Sequence, residues 1–232
     1  MTEGYKIRLR FSKTGRMKYI SHLDLMSTLQ RAFIRAGIRL KYSQGFNPHP
    51  YLSVALPLSV GVGSACELID IKTEDNLSDD FENLPERLSA VLPDGIKIFE
   101  AYEPQRKFSQ IKWVGISGIL RYNNIPSDIA ERMTERLRQD EIVIEKKAKR
   151  GVSEMNIAPH MRDVRINHYS IDISRGFEEP FVLLTALLSA QNPSITSGNL
   201  LSAFENECAY LKPDFAGFTR IKVFDENLEL FR

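Results

Sequence analysis

Three side chains in the first fifty residues have the makings of acid–base chemistry. His22 and His49 are two of only four histidines, and Asp24 follows His22 closely enough to orient an imidazole. One histidine as base and the other as acid would cleave or modify RNA at its 2′-hydroxyl without a metal. The competing reading is plainer: His22 falls in the first turn of a helix, where a neutral ring or a bound anion is at home, and surface or capping histidines look the same in sequence. No histidine pair has H-x-x-x-H spacing and no cysteine pair has C-x-x-C spacing, so no metal ligand set is expected. G-x-S-x-G, the P-loop and the dinucleotide fingerprint are missing, and no cofactor is expected.

A second chemistry is phosphate binding. Residues 1–50 hold ten Lys/Arg against two acids, and residues 51–104 hold three against eleven. Local balances of +8 and −8 lie inside a chain whose net charge is +1. Such segregation favours a directed field and a phosphate-bearing partner. Lys6, Arg8 and Arg10 alternate with Tyr5, Ile7, Leu9 and Phe11, so they share the wet face of a strand. Arg31 and Arg35 are four apart on a helix and share a face. The alternative is that the strand charges pair with acids on neighbours such as Asp70 and Glu67. The open face also lacks the aromatic pair of an RNA-recognition motif.

A third candidate is the loop Ser43-Gln44-Gly45-Phe46-Asn47-Pro48-His49-Pro50. Two X-Pro bonds stiffen it, Gly45 permits positive φ, and Phe46 is the natural anchor. Ser43, Gln44, Gly45, Asn47 and His49 would then form a presented loop site. As a mere connector, the loop would plug the core with Phe46. A second basic cluster, Lys146 to Gly151, would extend a nucleic-acid path or protect an edge strand.

These groups need elements to hold them. Tyr5 to Phe11 reads as a strand. Ser21 reads as an N-cap, with Asp24 reaching back to its amide. Leu25, Met26, Leu29, Ala32, Phe33 and Ala36 recur at helical spacing up to a stop at Gly37. Leu52 to Leu58 and Cys66 to Ile71 form a hairpin, Asp79 to Val91 a helix and Gly95 to Ala101 a strand. The order is βαββαβ. The second half adds strand Ile111 to Tyr122, helix Ser127 to Gln139 and strand Glu141 to Lys149. Then come an unassigned 151–164 stretch, strands from His168 and Phe181, helix Asn199 to Cys208 and strand Phe218 to Phe224. This predicts an α+β protein of two tandem ferredoxin-like units, antiparallel sheets with helices on one face, the second unit carrying an insertion. The units are expected at 1–104 and 105–232, joined at 103–107.

Two cysteines far apart, Cys66 and Cys208, suit a reducing compartment. No apolar run reaches the roughly 18 residues of a membrane span. Lys6, Arg8 and Arg10 interrupt any signal-peptide block, so a cytoplasmic location without membrane attachment is expected.

At Lys18-Tyr19-Ile20-Ser21-His22-Leu23-Asp24-Leu25-Met26, at Tyr42 to Pro50 and at Leu56-Pro57-Leu58-Ser59-Val60-Gly61-Val62, the chain resembles the bacterial radical-SAM-linked domain of unknown function. The positions carrying that family's motif are Ser21, His22, Asp24, Arg31, Gly37, Ser43, Gly45, Asn47, Pro48, His49 and Pro50. In that family the domain stands beside, or is fused after, a B12-binding-type radical SAM protein, often near genes for RNA processing. The resemblance implies a radical SAM protein as partner and RNA as a ligand, without a demonstrated activity. The chain has no C-x-x-x-C-x-x-C to hold the cluster itself. Its tandem architecture is also similar to that of the CRISPR repeat-cleaving endonucleases. Three readings stay open. The leading one is a non-catalytic accessory module that binds RNA, or docks another phosphate-bearing substrate, through the basic face and the 43–50 loop. The others are an RNA-cleaving or RNA-modifying enzyme using His22 and His49, and a protein–protein adaptor docking through its acidic 67–103 half.

Overall fold

A computed structural model describes residues 4–148, 151–169, 179–205 and 209–232. They form ten strands and four α-helices in two compact units, 1–110 together with Arg232, and 111–231. The fold is mixed α+β, and every strand pairing described within a unit is antiparallel. Among the described residues, no helix is long and apolar enough to cross a membrane.

The first unit runs β1 (Tyr5–Lys13), α1 (His22–Arg35), β2 (Leu52–Val54), β3 (Gly63–Thr73), α2 (Leu84–Ser89) and β4 (Ile96–Tyr102). β1 lies between β4 and β3, and β2 pairs on the far side of β3. Alternate strand residues Ile7, Leu9, Phe11, Ile69, Ile71, Ile96 and Ile98 share one core with Leu25, Leu29 and Phe33 of α1 and Leu84 and Leu88 of α2. Both helices therefore cover the same face, as the period-two and period-3.6 patterns require. α1 ends where expected: Gly37 takes φ +66°, and the amides of Gly37 and Ile38 bond back to Ile34 and Phe33. This is the left-handed cap that glycine permits.

Two expected elements are shorter. The strand from Leu52 stops at Val54, because Leu56 adopts φ +47° and Pro57 follows. α2 begins at Leu84, with Pro85 in its first turn, and a 3₁₀ turn Ser78–Asp80 takes the earlier residues. Proline lacks an amide to donate and suits a helix start.

The second unit contains β5 (Trp113–Arg121), α3 (Ile129–Leu137), β6 (Val143–Ala148), β7 (Gly151–Asn156), β8 (Met161–Tyr169), β9 (Phe181–Ser189), α4 (Ser197–Glu205) and β10 (Phe215–Phe224). β5 lies between β10 and β9, and β8 flanks β9. Val182, Leu184, Ala186 and Leu188 of β9 are buried, as are Ile129, Met133 and Leu137 of α3. β6 does not join these strands; it pairs with β7 in a separate hairpin. The unassigned 151–164 stretch thus resolves into β7, a 3₁₀ turn Ala158–His160 at Pro159, and the start of β8. The expected strand beyond Tyr169, the end of the helix at Cys208, and Lys149 and Arg150 of the basic cluster lie outside the described residues.

One interaction departs from the expected strand geometry. Arg8 is fully buried. Its Nε donates to Asp70 Oδ1 at 2.6 Å and its Nη2 to Asp70 Oδ2 at 2.9 Å. Nη2 also donates to the Arg106 carbonyl at 2.8 Å and Nη1 to the Arg232 carbonyl at 3.3 Å. The guanidinium lies over the Phe108 ring, 4.3 Å from its centroid. The 103–110 segment is therefore packed onto β1, not strung out as a linker.

Nearby, Arg10 and Arg232 both reach Glu100, at 2.7 and 3.1 Å. Burial pushes the Glu100 carboxyl upward, but the two arginines outweigh it and hold it below its usual value.

Two outcomes follow from these pairs. Arg8→Ala strands a carboxylate, and urea denaturation of the full chain should show a loss of about 3 kcal/mol. A loss near zero would refute the buried pair. Because Glu100 is depressed in the folded state, its contribution is present above the unfolded carboxylate range and fades as pH falls through the folded value. Wild type should therefore lose stability more steeply than Glu100→Gln between about pH 5 and pH 3.

A candidate anion-binding cleft beside a clasped loop

The residues around β1, β3 and the 43–50 loop enclose a cleft of about 300 Å³. Lys6 and Lys72 are direct partners across the β1–β3 ladder. Cross-strand partners sit on the same face about 5 Å apart at Cβ, so both ammonium groups can reach one anion. His49, Pro50, Tyr51 and Ser53 line the cleft from the β2 side, with Asp70 beside Lys72. Asp70 is already neutralised by Arg8. Among the described residues neither lysine has an ion-pair partner, though the Lys72 Nζ lies 4.9 Å from the centre of the Tyr51 ring. The cleft is thus a doubly cationic hollow with an aromatic wall, which suits a phosphate group.

The loop closes on itself. The Ser43 amide donates to the His49 carbonyl at 2.8 Å, and the His49 amide donates to Ser43 Oγ at 3.1 Å. Tyr42 bridges to Pro50. His49 Nδ1 lies 3.0 Å from Ser43 Oγ and 3.4 Å from the Asn47 carbonyl oxygen, so it is held within the loop in either tautomer. The base of the loop is tied to β3: Lys41 N–H donates to Lys72 O, Tyr51 N–H to Lys41 O, and Lys72 N–H to Tyr51 O. Gly45 supplies the turn at φ +122°. Gln44 and Asn47 are exposed. Phe46 is not an anchor and plugs no core: it is fully exposed at the tip.

The expected phosphate-binding set does not form one patch. Lys6 lies in the cleft. Arg8 is sealed inside the fold, because alternation places a residue on a face but does not leave that face open. Arg10 is half-buried against Glu100 and the Phe99 ring. Arg31 and Arg35 line a different groove with Thr28 and 90–93, where Arg35 donates to the Val91 carbonyl at 2.8 Å. The +8 and −8 segments are joined by the pairs Arg8–Asp70, Arg10–Glu100 and Arg39–Asp75, which cancel part of the segregation. Charge segregated along the chain is therefore partly paired in space.

The acid–base candidates are also distributed. Ser21 caps α1 by accepting from the Asp24 amide, as expected, but the Asp24 carboxylate accepts from the Ser21 hydroxyl at 2.7 Å instead of reaching the Ser21 amide. His22 is exposed at the first position of α1. Among the described residues, no hydrogen bond joins His22 to His49 or to Asp24. In the second unit, Lys146 of the basic cluster donates to the Ser194 carbonyl. Cys66 is buried, and Cys208 lies outside the described residues.

Lys72 and Tyr51 were not legible as site residues. Lys72 sits in the acid-rich segment, where a charge count hides it, and only the strand register brings it opposite Lys6.

If the clasp holds the loop, Ser43→Ala removes the acceptor of the His49 amide. Hydrogen exchange at that amide should then accelerate by about fivefold or more, the equivalent of about 1 kcal/mol, with the β1 and β3 amides unchanged. Unaltered exchange at His49 would show that the clasp does not hold it.

A family model described as an uncharacterized protein conserved in bacteria (DUF2344) matches residues 6–196. No curated protein matches the chain.

Proposed function

The chain belongs to that DUF2344 family, and we propose that it acts there as a non-catalytic accessory module that binds RNA for a radical SAM enzyme. The observation that carries the RNA reading is the cleft: two lysines in direct register, without ion-pair partners among the described residues, against an aromatic wall. The radical SAM association rests on the resemblance at 18–26, 42–50 and 56–62. We also read both units as ferredoxin-like. In the first, the strand order β4-β1-β3-β2 supports this. In the second, β10-β5-β9-β8 repeats the order once the β6–β7 hairpin is set aside as the insertion.

The enzyme reading is weaker on chemical grounds. A general base needs a positioned partner and a free nitrogen aimed at the proton it takes. Asp24 is engaged by Ser21, and among the described residues no hydrogen bond links it, His22 and His49 into a relay.

Anisotropy titration of a labelled RNA with the full chain across a salt series tests the proposal. Affinity should fall steeply with salt. Lys6→Ala and Lys72→Ala should each weaken binding and lower the salt slope by about one. Arg31→Ala, in the separate groove, should leave the slope as it is. A double Lys6/Lys72 variant that binds like wild type would sink the assignment of the cleft.

A further inference from the structure

Phe46 has a relative exposure of 106%, among the highest a side chain can show. An aromatic ring in water is unfavourable, and a free loop would fold it down onto nearby apolar surface. The clasp between Ser43 and His49 prevents that collapse by fixing both ends of the span from 43 to 49. The ring is therefore held out in advance of any ligand, which lowers the entropy lost on binding. It lies three residues from His49, which lines the lysine cleft, so at most about 10 Å of chain separates them.

The surroundings of the ring select among ligands. Protein hot spots are ringed by contacts that exclude water. Here Gln44, Gly45, Asn47 and Pro48 are all exposed, and only Pro48 among them is apolar, too little for a closed rim. A stacking face beside two amide side chains and a pair of lysines is instead the equipment used on unpaired nucleotides. Splayed bases stack on an aromatic ring, amides reach their edges, and cations hold the backbone. A duplex keeps its bases stacked on each other and gives the ring nothing to cover.

We propose that the loop is a base-stacking platform, with Phe46 stacking on a base of an unpaired RNA strand whose phosphate lies between Lys6 and Lys72. This deepens the RNA-binding reading above and rests on it.

The test compares a labelled single-stranded oligoribonucleotide with a duplex of the same sequence, titrated with the full chain. Phe46→Ala should weaken single-strand binding roughly 5- to 150-fold, without changing the salt slope, while Phe46→Trp retains it and duplex binding does not move. A 2-aminopurine in the strand should be quenched by wild type and less by Phe46→Ala. If Phe46→Ala binds the single strand like wild type while Lys6→Ala and Lys72→Ala weaken it, the stacking role is overturned and the phosphate cleft stands. If wild type binds no RNA at low salt, both fall. A protein complex that needs Phe46 in the absence of RNA binding would likewise overturn the proposal in favour of a protein partner.

Discussion

A guanidinium removed from water must find other partners for its donors and its charge, and much of the first unit is organised around Arg8 for that reason. Asp70 supplies a carboxylate in the bidentate geometry that arginine matches best. The carbonyls of Arg106 and Arg232 take further donors, and Phe108 covers the guanidinium. These partners come from β3, from the end of the unit and from the last residue of the chain, so a single side chain sets the positions of three distant segments. The pair also determines what remains for binding. With Asp70 held by Arg8, the neighbouring lysines keep their charge for an outside anion.

The sequence was informative wherever a local rule decides the outcome. Period two in Tyr5–Phe11, the Ser21 cap, the Gly37 stop and the inward residues of α1 and α3 all follow from backbone geometry and side-chain spacing. It was silent wherever the answer lies far along the chain. The cover over Arg8 is 98 and 224 residues away, and nothing in β1 announces it. The strand register that joins Lys6 to Lys72 links two segments of opposite average charge. The outward turn of Phe46 depends on a side-chain clasp that residue types alone do not specify. In the second unit, the sequence marks β6 as a strand but leaves its partner β7 unassigned, because the residues of β7 carry no clear alternation.

The first unit thus treats its cations in two ways. Arg8, Arg10 and Arg39 hold acids of the following segment and work inside the fold. Lys6 is exposed and Lys72 half-buried beside Tyr51, and neither has an ion-pair partner among the described residues. For these five cations the division follows the chemistry of the two residue types, though Lys13 of β1 is itself buried: arginine forms planar, multidentate bonds suited to burial, whereas lysine carries a well-hydrated point charge suited to exchange between water and a phosphate.

The closed base of the 43–50 loop has an evolutionary consequence. Its ends bond to each other and to β3, and the residues between them bury nothing in the core. Substitutions at 44 and 46, which lie outside the motif positions, can then accumulate with little effect on folding, since surface changes away from special backbone positions are close to neutral for stability. Gly45 is the exception, because its φ is one that side chains rarely adopt. Selectivity for a ligand can drift within this cassette while the scaffold beneath it stays under separate constraint.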